Sequence, residues 1–184
     1  MQLTPSKRIR GDAGFTLIDM LFVVALIGLL ASLAIPGLMR ARGAAQSASA
    51  LGSLRVINSA ELTFALTCGL GFYSPDLPTL GVAPPGNPEA FLPVDMTSGF
   101  TFSKSGYTFS LAGTPLGTAP ATCNGLGAGS ASPGYAAVAD PVDPAISLPR
   151  FFGTNSDGVV YQNNATLSAT MPEFGSPVGG VPIQ

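Results

Sequence analysis

The sequence predicts an α+β fold in which one long N-terminal helix packs on a small antiparallel β-sheet with long loops. Three observations predict it. Residues 20–39 carry no charge. From there to Cys68, apolar residues recur every three or four positions, the period of an amphipathic helix. Residues 69–184 are dense in glycine and proline, yet hold short apolar runs with the alternation of strands. The chain therefore divides into a basic leader over 1–14, a long helix over 15–68 and a β-rich head over 69–184. The helix is itself apolar over 15–39 and amphipathic over 40–68.

The leader carries Lys7, Arg8 and Arg10 against Asp12. Basic residues ahead of an apolar run orient an N-terminus toward the cytoplasm, although Arg40 and Arg42 follow the run on its other side. Twenty helical residues span about 30 Å, the thickness of a bilayer's hydrocarbon core. From Leu17 to Leu38, Leu, Ile, Val, Phe and Ala occupy every side of the helix, a pattern of segments that are buried or span a membrane. A cleavable secretory signal is the alternative. Its apolar region is shorter, about 7–15 residues, and a small-residue site for such cleavage stands at Ala48-Ser49-Ala50. Asp19 lies near the start of the run, where a carboxylate is costly unless it is paired or close to the interface.

Pro36 removes one helical donor and crowds the preceding turn, and Gly28 lowers helix propensity. A kink in a stable helix is the simplest expectation. Beyond it, Ala44, Ala48, Leu51, Leu54, Ile57, Ala60, Phe64 and Cys68 form the expected packing stripe, with Arg42, Asn58 and Glu61 largely off it. Cys68-Gly69 reads as the helix end, with the glycine as cap.

In the head, residues 106–111 alternate as a half-buried strand, and Phe100 to Phe102 is its partner or its approach. Tyr135 to Ala139 reads as another strand. Phe151-Phe152 and Val159-Val160-Tyr161 flank Asn155-Ser156-Asp157-Gly158, a hairpin signal. Three or four strands are expected on the long helix, with loops over about 70–97 and 112–134. The last dozen residues read as an extended or mobile tail.

Composition narrows the function. The chain has no histidine, which removes Ser-His-Asp and Cys-His catalysis and every His-ligated metal site. Charged residues are 10% of the chain, far below the usual quarter, which fits a soluble enzyme core poorly. The net charge is −2, and it becomes −4 without the leader, so no basic footprint for nucleic acid is present. No paired carboxylates, phosphate loop or metal cluster stands out, so neither an enzyme nor a cofactor is expected. Asp140, Asp143 and Asp157 lie near turns, where with Asn155 they are turn residues or a calcium site. Asn164-Ala165-Thr166 matches an N-glycosylation acceptor by pattern alone. Phe72 and Tyr73 mark packing at the helix–loop junction or a binding surface. Cys68 and Cys123 are expected to form one disulfide if the head lies outside the cytoplasm, and to be two buried thiols otherwise.

The residues that discriminate are Gly14-Phe15-Thr16-Leu17-Ile18-Asp19-Met20-Leu21. A basic leader ends in glycine, phenylalanine follows, and an acid stands four positions later. This resembles the prepilin cleavage motif of type IV pilins and type II secretion pseudopilins. Gly28 and Pro36, fourteenth and twenty-second from Phe15, match spacings common in that family. The resemblance is close from Gly14 to Pro36 and looser to Cys68. It implies cleavage between Gly14 and Phe15 by prepilin peptidase and N-methylation of Phe15. It also implies storage in the bacterial inner membrane, then polymerisation on a pilus or secretion assembly platform into a helical filament of identical subunits at the cell surface. In the family the acid neutralises a neighbour's terminal amine, so Phe15 and Asp19 are the expected assembly residues. The alternative is a pair within one chain, since i and i+4 share a helix face. Loss of helicity between Gly28 and Pro36 in the filament is likewise implied. The family's acid is nearly always glutamate, and Asp19 is one methylene shorter. Many pilins bracket a C-terminal loop with their disulfide. Here Cys68 would tether the helix end to the middle of the head, so no adhesive loop is carried over. The implied roles are adhesion, twitching motility or DNA uptake. A type II secretion pseudopilin and a membrane-anchored surface binding domain remain the alternatives.

Overall fold

The computed structural model describes residues 15–143 and 150–183; the leader with Gly14 lies outside them. Helix α1 runs unbroken over Leu17–Thr67, with Pro36 inside it. Two compact units divide at Arg40. The first holds the apolar part of α1, where Leu17, Leu26 and Leu33 are all extensively exposed. The second holds the rest of α1, the short helices α2 (Leu77–Leu80) and α3 (Val94–Thr97), and six strands. These are β1 (Thr101–Lys104), β2 (Tyr107–Ala112), β3 (Ala136–Pro141), β4 (Phe151–Asn155), β5 (Val160–Asn163) and β6 (Val181–Ile183). They form one antiparallel sheet in the order of the chain.

The α+β expectation is met: the second part of α1 packs on the sheet, and Leu54, Ile57 and Phe64 share one core with Phe109, Leu111 and Phe152. Strand β2 alternates as read, with Tyr107, Phe109 and Leu111 buried. The hairpin β1–β2 closes through Ser105-Gly106, both with positive φ, which is the backbone of a tight two-residue turn. Six strands replace the expected three or four. The additional ones include β6, which lies in the segment read as an extended or mobile tail: Val181–Ile183 pair with residues 160–162 of β5. The loop expected over 70–97 contains α2 and α3. Helix α2 starts on Asp76, whose Oδ1 accepts from Thr79 N at 2.9 Å, with Pro78 in the first turn.

The packing face of α1 also differs from the apolar stripe. Leu54, Ile57, Ala60, Phe64 and Cys68 are buried, but Ala44 and Ala48 are exposed and Leu51 is half-buried. Toward the N-terminus the face continues through buried Ala50 and through polar residues. Ser47 Oγ lies 3.2 Å from Tyr107 Oη, Ser53 is buried, and Glu61 is fully buried. A stripe drawn through apolar residues alone therefore drifts off the true contact line.

The helix end needs glycine for a reason other than capping. Leu70 and Gly71 take the positive φ angles. Gly69 N donates to Phe64 O at 2.7 Å, and a Cβ at Gly69 would lie 2.1 Å from the Phe72 carbonyl oxygen. Gly52, inside the same helix, meets nothing within 4 Å. Gly69→Ala is therefore expected to destabilise the head by about 1–3 kcal/mol through overpacking. Gly52→Ala should stabilise it by about 1 kcal/mol through helix propensity. Thermal melts of the full-length chain in detergent check both signs.

Candidate functional site

At the head of α1, Thr16 and Asp19 bond reciprocally. Asp19 Oδ2 accepts from Thr16 N at 3.2 Å and from Thr16 Oγ1 at 2.5 Å, while Asp19 N donates to Thr16 Oγ1 at 3.3 Å. This is a capping box: two orphan amides at the helix start are satisfied by each other's side chains. The T-x-x-D pattern of residues 16–19 is the sequence signal of this box. Phe15, beside it, is 76% exposed. Within the described chain, Asp19 thus has Thr16 as its partner.

From Leu17 onward, α1 contains a stretch of mean hydropathy 2.6 with none of its residues buried, long and apolar enough to cross a membrane by length and composition. Gly28 and Gly37 have open space where a Cβ would stand. The helix continues through Gly28 and Pro36, although Pro36 has no N–H to give to the turn before it. Ser32 Oγ, one turn before Pro36, donates to Leu29 O at 2.7 Å.

Cys68 and Cys123 form a disulfide with their Cα atoms 4.9 Å apart. Cys123 N also donates to Cys68 O at 3.1 Å, so backbone and side chain together hold the segment between β2 and β3 against the end of α1. Phe72 and Tyr73 are half-buried. Tyr73 exchanges backbone bonds with Ser132 and its ring lies 5.1 Å from that of Tyr135, which makes it a packing residue.

The residues weighed as turn or calcium ligands bind protein groups. Asn155 is buried; its Nδ2 donates to Pro172 O and Gly175 O, and its Oδ1 accepts from Asp157 N. Asp157 Oδ2 accepts from Gly175 N at 2.7 Å. Asp140 Oδ2 accepts from Thr166 Oγ1 at 2.5 Å. Among the described residues, no three cysteine, aspartate or glutamate side chains converge on a metal position. Asn164 is exposed in the β5–β6 connection.

Glu61, expected largely off the packing stripe, lies on the buried face instead. Glu61 is fully buried on α1, where its Oε2 accepts from Ser74 N at 2.9 Å and its Oε1 has no partner. Burial pushes its carboxyl well above the usual range, against the pull of the Ser74 bond, and negative Asp76 adds to the rise. One turn away, Asn58 Oδ1 accepts from the Tyr135 hydroxyl at 2.8 Å, and Asn58 Nδ2 donates to Thr154 Oγ1 at 2.9 Å. Burial, with Glu61 and Tyr73 nearby, pushes the Tyr135 phenol up.

On the other flank of the helix, a groove of about 620 Å³ runs between residues 55–67 and the segment 84–91; Val56, Thr63 and Phe91 line it. Exposed Leu62 and Leu66 lie on the same stretch of helix. No protein-family model, curated protein or solved structure matches the chain.

The capping box yields a direct test. Thr16→Val should weaken the start of α1 by about 1 kcal/mol. Amide exchange at residues 17–19 of the full chain in detergent should then speed up by roughly fivefold. Unchanged exchange would mean that the helix start does not depend on this pair.

Proposed function

We propose that the chain is a type IV pilin-like prepilin, a structural filament subunit rather than an enzyme. The observation that carries this reading is the division of α1. One helix has a first part that is apolar and exposed all round, and a second part that buries one face against an antiparallel sheet. Large apolar side chains exposed over more than five turns need a solvent other than water. A bilayer supplies one before assembly, and neighbouring helices supply one afterward.

The Gly14-Phe15 motif supports cleavage by prepilin peptidase and N-methylation of Phe15. In this reading the processed amine of Phe15 is neutralised by Asp19 of an adjacent subunit, and the chain passes from the inner membrane to a filament at the cell surface. Asp19 exchanges its capping contact with Thr16 for that amine, or holds both through its two oxygens. The pair fixes register, because breaking a buried ion pair by removing one partner costs about 3–5 kcal/mol. The disulfide supports an extracytoplasmic head. The exposed Leu62 and Leu66 offer further apolar surface for neighbouring subunits.

Two substitutions separate the assembly role of Asp19 from its capping role. Asp19→Ala should leave cleavage intact and lower incorporation into filaments by about 100-fold or more. Thr16→Ala loses the same cap but keeps the charge, and should assemble nearly normally. Shearing filaments from cells and quantifying the subunit in them reads both. Normal incorporation of Asp19→Ala would sink the pairing role.

A further inference from the structure

Glu61 stands apart from the features that the filament reading uses. It lies on the helix face that meets the head, at 0% exposure, and no lysine or arginine among the described residues pairs with it. Its single hydrogen bond comes from the Ser74 amide, and its second oxygen is unpartnered. The ionisable groups that act on it are Asp76, from the cap of α2, and Tyr135, from the residue leading into β3; Tyr73 packs on Tyr135. None supplies positive charge. A carboxylate in this position would be a buried anion with one donor and an acidic neighbour, whereas a neutral carboxylic acid is tolerated.

The segment that Glu61 holds is consequential. Residues 73–76 connect the disulfide-bonded end of α1 to α2. Tyr73 bridges to Ser132, Ser74 Oγ donates to Asp76 O at 2.6 Å, and Asp76 caps α2. The Ser74 amide bond to Glu61 is where this strap meets α1, two turns before the helix ends. Ser74 is itself fully buried, so this contact is sealed from water while the strap is in place.

We propose that Glu61 is a pH-sensitive latch: as a neutral acid it fastens residues 73–76 to α1, and its ionisation releases them. The sign follows from linkage. The unfolded side chain loses its proton near the ordinary value of 4.5, whereas the folded one keeps it to higher pH. The stabilisation is complete in acid below that value. It is lost progressively as pH rises through it toward the folded value, because there the unfolded chain binds fewer protons.

The test uses the full-length chain in detergent micelles, as wild type and as Glu61→Gln. The wild-type melting temperature should fall between pH 4 and pH 9 relative to that of Glu61→Gln, whose profile lacks this component. At pH 8 the Ser74 amide should exchange at least about tenfold faster in wild type than in Glu61→Gln, a change that the loss of a merely structural contact would reverse. Parallel melting profiles with equal Ser74 exchange would overturn the latch. Should Glu61→Gln fail to fold, wild-type protein labelled at the glutamate carboxyl carbon decides. The chain has only three glutamates, so Glu61 can be followed directly. A Ser74 amide whose exchange quickens as that signal loses its proton supports the latch, and a signal that titrates near the ordinary 4.5, or Ser74 exchange unchanged across its titration, overturns it.

Discussion

The contact between residues 50–67 of α1 and the inner face of the sheet is the constraint around which the head is arranged. Leu54, Ile57 and Phe64 fill the helix side, and Phe109, Leu111 and Phe152 fill the sheet side. Packing of this kind is intolerant of volume change. It requires a sheet wide enough to cover the helix face, which six short strands in simple succession provide. It also requires the chain to leave the helix sharply, which Gly69 permits by letting the Phe72 carbonyl approach. The disulfide then closes the segment between β2 and β3 over the same end of the helix.

The same helix carries a second, incompatible demand. Its first part has no covering of its own in the described chain, and it presents apolar side chains in every direction. A sheet covers one face only. What surrounds the first part must therefore surround it completely, as lipid does or as a ring of like helices does. The head is built for one environment and the apolar segment for another, and the helix is the element shared between them. The capping box at Thr16 and Asp19 closes the free end of that helix with neutral and acidic groups of its own.

Much of this was legible. Charge-free length, period and the Cys68-Gly69 boundary located α1, and strict alternation located β2. Asn155 to Gly158 located the β4–β5 turn, although Asn155 belongs to β4 and Val159 to the turn. What stayed hidden depended on long-range partners. Residues 181–183 have no alternation to announce a strand; they become one because β5 offers a free edge. Helices α2 and α3 are four residues each, too short for periodicity to register. Glu61 was the least legible: a glutamate in a helix is ordinarily solvated, and its hydrogen-bond partner, the Ser74 amide, lies thirteen residues away. Phe15, Asp19, Gly28 and Pro36 stand out by pattern, and the roles proposed for them involve neighbours that a single chain does not contain.

The central claim is that the chain is cut after Gly14 and lives in a filament through the helix that begins at Phe15. The most direct measurement is mass spectrometry of the N-terminal peptide from protein in filaments sheared off intact cells. The account predicts a peptide that begins at Phe15 and carries a methyl group on its amine. A terminus near Leu51, or an uncut chain confined to membranes, would contradict it.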